Sequence, residues 1–276
     1  MLFRCNMKTI NFSKYHGCGN DFIIVENFKE DAQKLAKDIC NRNTGADGFI
    51  NLDTTNIKMN FYNQDGSIGT MCGNGLRCLS AYLLEKKLIK TSSFEVLTDA
   101  GKMKVEVKDF QKPLFKVNLG KASFDTTKLQ IETNNQVFLN EELSYQGNTY
   151  ICYAVFIGVK HLVIYVDNVT TITEEIGHYL SNHPLFKDAI NVDFVSIINP
   201  NELRLKTYER GVGFTKACGT GAAASFVITN MFKQGSDTIK VVMDIDSLVL
   251  TKSENEEIIM QGTALKICDG RYMWRN

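Results

Sequence analysis

Two tetrads, Cys72-Gly73-Asn74-Gly75 and Cys218-Gly219-Thr220-Gly221, divide this chain of 276 residues into related halves. Each follows a stretch of alternating polar and apolar residues, 57–62 and 203–208, through a glycine-containing loop, and each opens a helix-like run. The spacing that takes Cys72 to Cys218 also takes Tyr62 to Tyr208 without a gap. A single CGxG is most often only a tight turn. A strand–loop–CGxG–helix unit that occurs twice in one register predicts two halves of the same topology, meeting across a cleft.

The rest of the chain agrees with a strand-rich fold. Period-2 alternation recurs at 102–107, 115–119, 239–243 and 248–251, the pattern of half-buried strands. Helical spacing is confined to 31–42, 76–88, 222–232 and, more weakly, 174–180. Many strands and few helices predict an α+β fold rather than alternating βαβ units. The boundary between halves is expected near 120–126, giving a first half over 1–123 that 265–276 returns to complete, and a second half over 124–264.

Lys plus Arg equals Asp plus Glu, 31 of each, so no basic surplus points to nucleic acid or an anionic membrane surface. No stretch approaches the roughly 20 apolar residues of a membrane span, and no signal-peptide core opens the chain. The expected compartment is the cytoplasm. There the eight cysteines are free thiols rather than a disulfide framework. No C-x2-C pair exists to hold zinc, so no metal is expected. Most of these thiols are expected to be small buried hydrophobes, Cys18 in His16-Gly17-Cys18-Gly19-Asn20-Asp21 among them.

Cys72 and Cys218 stand apart because each precedes a helix start. Unpaired amides and the positive end of the helix dipole favour an anion there, and glycines let the backbone approach it. The same field is expected to lower the thiol pKa from about 8.5. Two such starts supply a carboxylate cradle and two sulfurs of similar acidity. Inverting a stereocentre without a cofactor requires that pairing: one group removes a proton from one face while another delivers a proton to the opposite face. Taken alone, His161 reads as a core histidine and Glu209-Arg210 as a solvated ion pair.

At these residues the chain resembles the diaminopimelate epimerase family. The resembling segments are KYHGCGNDFIIVEN, NQDGSIGTMCGNGLRC, INVDF and YERGVGFTKACGTGAAAS. The resemblance implies two pseudo-symmetric domains, each a strand-rich barrel around a central helix, with the active site in the cleft between them. It implies Cys72 and Cys218 as the catalytic pair. Asn20 and Glu209 would hold the α-amino group of the substrate, and the amides of Gly73, Asn74, Gly219 and Thr220 its α-carboxylate. Asn63, Asn191 and Arg210 would read the distal amino-acid end, and His161 matches a histidine near the reacting centre. The implied reaction interconverts LL- and meso-diaminopimelate, toward lysine and cell-wall precursors. The only implied partner is this small amino-acid substrate, and a homodimer is left open.

The chain departs from the family pattern at three places. Gly158-Val159-Lys160-His161 replaces Gly-Asn-Pro-His, Phe214 replaces a glutamate, and the loop 42–48 is two residues shorter. The lost asparagine normally touches the distal end of the substrate. A related racemase acting on another amino acid is therefore the second reading. Lys160 is expected either to extend to solvent or to reach the distal pocket. A binding protein without catalysis would need the cradles but not the sulfurs, and a thiol–disulfide oxidoreductase would need the absent C-x-x-C.

Overall fold

The computed structural model describes residues 7–41, 43–233 and 235–275. The chain divides into two units, Met1–Val117 with Gly262–Asn276, and Asn118–Gln261. The first unit contributes strands β1 (Met7–Gly17), β2 (Asn20–Glu26), β3 (Gly48–Asp53), β4 (Lys58–Asn63), β5 (Ile68–Gly69), β6 (Ser93–Thr98), β7 (Gly101–Asp109) and β8 (Leu114–Asn118). Next come β9 (Leu139–Tyr145), β10 (Asn148–Ile157), β11 (Val159–Tyr165), β12 (Asn191–Asn199), β13 (Glu202–Glu209), β14 (Gly213–Thr215), β15 (Thr238–Val242), β16 (Ser247–Lys252) and β17 (Ile258–Thr263). Finally β18 (Leu265–Arg275) returns to the first unit.

In the first unit the strands run in the order β18–β1–β2–β3–β4–β6–β7–β8, with short β5 beside β4. In the second the order is β9–β10–β11–β12–β13–β15–β16–β17, with β14 beside β13. The parallel pairs are β2–β3 and β4–β6 in one unit, β11–β12 and β13–β15 in the other. The two sheets thus share one topology strand for strand, so the duplication extends well beyond the tetrads. In the first unit β18 takes the position that β9 takes in the second.

The helices are α1 (Ala32–Ile39), α2 (Gly73–Glu85), α3 (Thr126–Leu129), α4 (Glu174–Ser181) and α5 (Gly219–Phe232). Asp31 caps α1 by accepting from the Lys34 amide at 3.0 Å, and the helix buries Leu35, Ala36 and Ile39. It ends three residues short of the predicted terminus, and Arg42 lies outside the described residues. Helix α2 begins at Gly73 rather than 76, because Cys72 provides its cap, and is buried from Gly73 through Leu83. It packs on β1, β2, β3, β4 and β18, while α5 packs on β10 through β13 and on β15 and β16. Each unit is a strand-rich α+β body whose sheet wraps one buried helix.

The predicted strands reappear as β4, β7, β8, β13, β15 and β16. Sequence alternation does not reveal β2, β11 or β12, which carry the near-continuous apolar runs FIIV, HLVI and VDFV. They pair in parallel and are covered on both faces, so no solvent face imposes a polar residue at every second position. Among the described residues no helix is long and apolar enough to cross a membrane.

Candidate active site

In the first unit the functional residues gather around the start of α2. Cys72 sits at the N-cap with extended backbone, and its Sγ accepts from the Gly75 amide at 3.5 Å. The Leu76 amide closes the first helical turn on the Cys72 carbonyl at 2.8 Å. Cys72 is half-buried. The amides of Gly73 and Asn74 lie in the first turn, where helix geometry leaves them without intrahelical acceptors.

The Asn74 side chain is buried and belongs to a polar chain. It donates to Asn20 Oδ1 at 3.2 Å and accepts from Arg77 Nη2 at 2.9 Å. Asn20 Nδ2 in turn donates to Asp47 Oδ2 at 2.7 Å, and burial raises the Asp47 carboxyl above its ordinary range. Arg77 is fully buried on α2, donating also to the Thr263 carbonyl at 3.2 Å and to Cys18 Sγ at 3.5 Å. Asn20 is therefore fixed from both sides, and the position of α2 is locked to the β1–β2 turn. Cys18 occupies that turn at φ 55 and starts no helix, so it is a packing residue with a contact to Arg77. Asn63 ends β4 opposite Gly48, exposed, with its Nδ2 on Ser67 Oγ at 2.9 Å.

In the second unit Cys218 caps α5 in the same manner, its Sγ accepting from the Gly221 amide at 3.3 Å and lying 3.4 Å from Thr220 Oγ1. The expected drop in thiol pKa does not hold here. Cys218 is pushed well above its ordinary value, chiefly by burial, then by the negative charges of Glu209 and Asp193; the Thr220 hydroxyl and the Gly221 amide only partly offset them. The helix field reasoned from the tetrad alone is outweighed by desolvation and by two carboxylates that the tetrad does not contain.

Glu209 ends β13, half-buried, and accepts from Thr215 Oγ1 at 2.7 Å. Asn191 begins β12 beside His161 of β11, and its Oδ1 accepts the Arg210 amide at 2.9 Å. The exposed Arg210 side chain donates to the Asp188 carbonyl at 3.0 Å, holding the loop that precedes β12. His161 is fully buried, with Nδ1 2.7 Å from Asp193 Oδ2. Asp193, buried under the start of α5, also accepts from Thr207 Oγ1 at 2.7 Å. Sequence reasoning missed both Arg77 and Asp193. Their signal was a charged residue inside an otherwise apolar run, which must be paired if it is buried.

The departures have physical counterparts. Lys160 does not extend to solvent: it is buried, its Nζ donating to Gln130 Oε1 at 2.9 Å and to the Lys187 carbonyl, and burial followed by the Arg210 charge lowers its pKa. Val159, its neighbour, is the exposed member of the pair. Phe214 packs edge-on against Tyr208 at 5.5 Å between centroids and lies 4.1 Å beneath Lys206 Nζ. Of the other cysteines, Cys40, Cys78 and Cys152 are buried and Cys268 is exposed. Burial raises Cys40 and Cys152 to about 12, and Cys5 lies outside the described residues.

A family sequence model described as Diaminopimelate epimerase matches residues 12–125 and 153–267. The diaminopimelate epimerase of Alkaliphilus metalliredigens is 33% identical over 276 residues, covering 96% of this chain and 98% of that protein. That of Bacillus cytotoxicus is 35% identical, covering 98% and 99%. Among solved structures, a hydroxyproline epimerase from Agrobacterium vitis with bound trans-4-hydroxy-L-proline aligns at TM-score 0.70 and 14% identity, over 97% of this chain and 92% of that one. A Bacillus anthracis phenazine biosynthesis protein of the PhzF family aligns at TM-score 0.69 and 16% identity, over 97% and 100%. These two share the fold. With both cysteine signatures inside the matched segments, the chain belongs to the diaminopimelate epimerase family.

Proposed function

We propose that this chain interconverts LL- and meso-diaminopimelate with Cys72 and Cys218 as its two acid–base groups and no cofactor. The observation that carries this reading is the thiol-capped helix start, built once in each unit on the same topology. The family match supports the substrate.

The environments of the two sulfurs divide their roles. A two-base inversion needs one thiolate and one thiol. Burial and the charges of Glu209 and Asp193 hold Cys218 as the thiol, so the thiolate role falls to Cys72. In the LL-to-meso direction Cys72 takes the α-proton and Cys218 delivers another to the opposite face. The first-turn amides at 73–74 and 219–220 suit the α-carboxylate, whose negative charge grows as the α-carbon loses its proton. Asn20, clamped by Asp47 and Asn74, and Glu209 would receive the α-ammonium. Asn63, Asn191 and Arg210 would face the distal end. A reducing cytoplasm suits an enzyme that works through free thiols.

The direct test is incubation with LL-diaminopimelate in deuterated water, following α-proton exchange and the stereochemistry of the product by NMR. Deuterium entering a single α-position as meso product forms is the expected result. Absence of exchange with diaminopimelate, together with exchange of another amino acid, would favour the related-racemase reading. That second reading has one specific observation behind it, the exposed Val159 where the family pattern has asparagine. Val159→Asn is expected to raise kcat/KM for diaminopimelate by about tenfold, the value of one hydrogen bond to a charged partner. An unchanged or lower kcat/KM would mean that the lost contact is compensated elsewhere.

A further inference from the structure

Beneath the two cysteine-capped helix starts, the shared topology carries different chemistry. The residue before Tyr62 is Phe61, paired with Ile50, and the residue before Tyr208 is Thr207, paired with Asp193. On the neighbouring strands Phe22 aligns with Gly48, and His161 aligns with Asn191, each two positions before Ile50 or Asp193. The first unit thus has Phe22, Ile50 and Phe61 where the second has His161, Asp193 and Thr207. A Cβ built on Gly75 would meet Met59 Cε at 3.1 Å and Phe22 Cε1 at 3.4 Å; one built on Gly221 would overlap Asp193 Oδ1 and meet Thr207 Oγ1 at 2.8 Å. One helix start therefore rests on an apolar floor and the other on a buried polar one.

A carboxylate buried at 0% exposure must be compensated. Asp193 has three compensations: the His161 ring at Nδ1, the Thr207 hydroxyl, and the positive end of α5 above it. This arrangement leaves a remainder. His161 Nε2 is buried and has no hydrogen-bond partner among the described residues. An orphaned buried nitrogen is costly, and such atoms persist where a partner arrives later.

We propose that Asp193 is a positioning residue for the reaction: it fixes His161 with Nδ1–H donating to the carboxylate, so that Nε2 presents its lone pair to a donor that arrives with the substrate. A neutral imidazole carries one N–H, so a carboxylate on Nδ1 selects the tautomer and the ring angle together. The same charge also disfavours the Cys218 thiolate, alongside Glu209 from β13; on its own helix the sulfur meets Thr220 Oγ1 and the Gly221 amide. One buried carboxylate thus couples the orientation of the histidine to the protonation of the acid. The inference rests on Cys218 acting as the acid in the proposed function.

The test is Asp193→Asn, which preserves size and removes the charge. The expected result is a loss of about 100-fold in kcat with KM changed by no more than about threefold, as for other partners that orient a histidine. The pH midpoint for alkylation of Cys218, read by peptide mass spectrometry, is expected to fall by about one unit, because one negative charge facing the thiolate is gone. In a His161→Gln background Asp193→Asn should cost little more, since the two act as a unit. Should Asp193→Asn fail to fold, Thr207→Val removes one anchor of the carboxylate but keeps its charge, and is expected to lower kcat by less while the Cys218 midpoint stays at or above its wild-type value. A lowered Tm with unchanged kcat and unchanged Cys218 midpoint would overturn the proposal, as would full additivity with His161→Gln. Because the alkylation midpoint requires no substrate, a mistaken substrate leaves that measurement standing, while a loss of kcat at nearly constant KM separates a positioning Asp193 from a merely structural one.

Discussion

Alanine at either Cys72 or Cys218 is expected to lower LL-to-meso inversion by about 10⁴-fold or to background, because positioned acid–base groups contribute up to about that factor and a relay missing one end completes no turnover. The two variants should nevertheless differ. With Cys218→Ala, Cys72 remains able to take the α-proton and return a solvent-derived one to the same face. α-Deuterium exchange with retained configuration should therefore persist while meso product vanishes. With Cys72→Ala the remaining sulfur is the one held as a thiol by burial, Glu209 and Asp193, so exchange of the LL substrate should stop as well. NMR in deuterated water separates the two outcomes. Near-normal inversion by either variant, at saturating substrate, would sink the two-thiol mechanism.

Gly221→Ala is expected to reduce kcat/KM by about 100-fold or more, whereas Gly75→Ala should cost less than about tenfold. The residues occupy the same position in the two helix starts, and alanine is the better helix former by about 1 kcal/mol at both. The difference lies beneath them. The new methyl at 221 would overlap Asp193 Oδ1 and crowd Thr207 Oγ1, both buried and hydrogen-bonded, so the first turn of α5 must lift and carry Cys218 with it. At 75 the nearest atom is the flexible end of Met59, which gives way by a few tenths of an ångström. A displacement of about 1 Å at a reacting group is enough for a 100-fold loss. Steady-state kinetics with Tm measured in parallel provide the check. Equal effects at the two glycines would show that the polar floor under α5 does not position its cysteine.

The parts of this molecule legible in the sequence were those with a periodic or local signature. Alternating residues disclosed β4, β7, β8, β13, β15 and β16, and the twin tetrads disclosed that α2 and α5 open beside Cys72 and Cys218, though not that these two residues cap them. Strands covered on both faces were hidden, since VDFV and HLVI show no alternation when neither face is wet. The buried polar residues were hidden for a related reason. Arg77 lies between Leu76 and Cys78 on a helix that presents no face to solvent, and Asp193 is a lone acid in an apolar strand; only tertiary pairing reveals what compensates either. The direction of the Cys218 pKa was misjudged because its largest influences, burial and the carboxylates of β12 and β13, are not local in sequence.

Strand β18 has a consequence for the order in which the chain becomes foldable. It supplies the neighbour of β1 and brings in Trp274, which is buried, stacked edge-on against Phe28 at 5.4 Å and bonded through Nε1 to Asp38 at 2.8 Å. The second unit is one continuous segment, whereas the first lacks an edge strand and a core tryptophan until residues 265–275 have been synthesised. During translation the later-encoded unit therefore has all its strands first, inverting the usual N-to-C sequence of domain folding. Until then β1 presents an unpaired strand edge to the crowded vicinity of the ribosome, where nascent chains aggregate or recruit chaperones. In a pulse-labelled translation reaction, protease resistance should accordingly appear in 118–261 before it appears in 7–117.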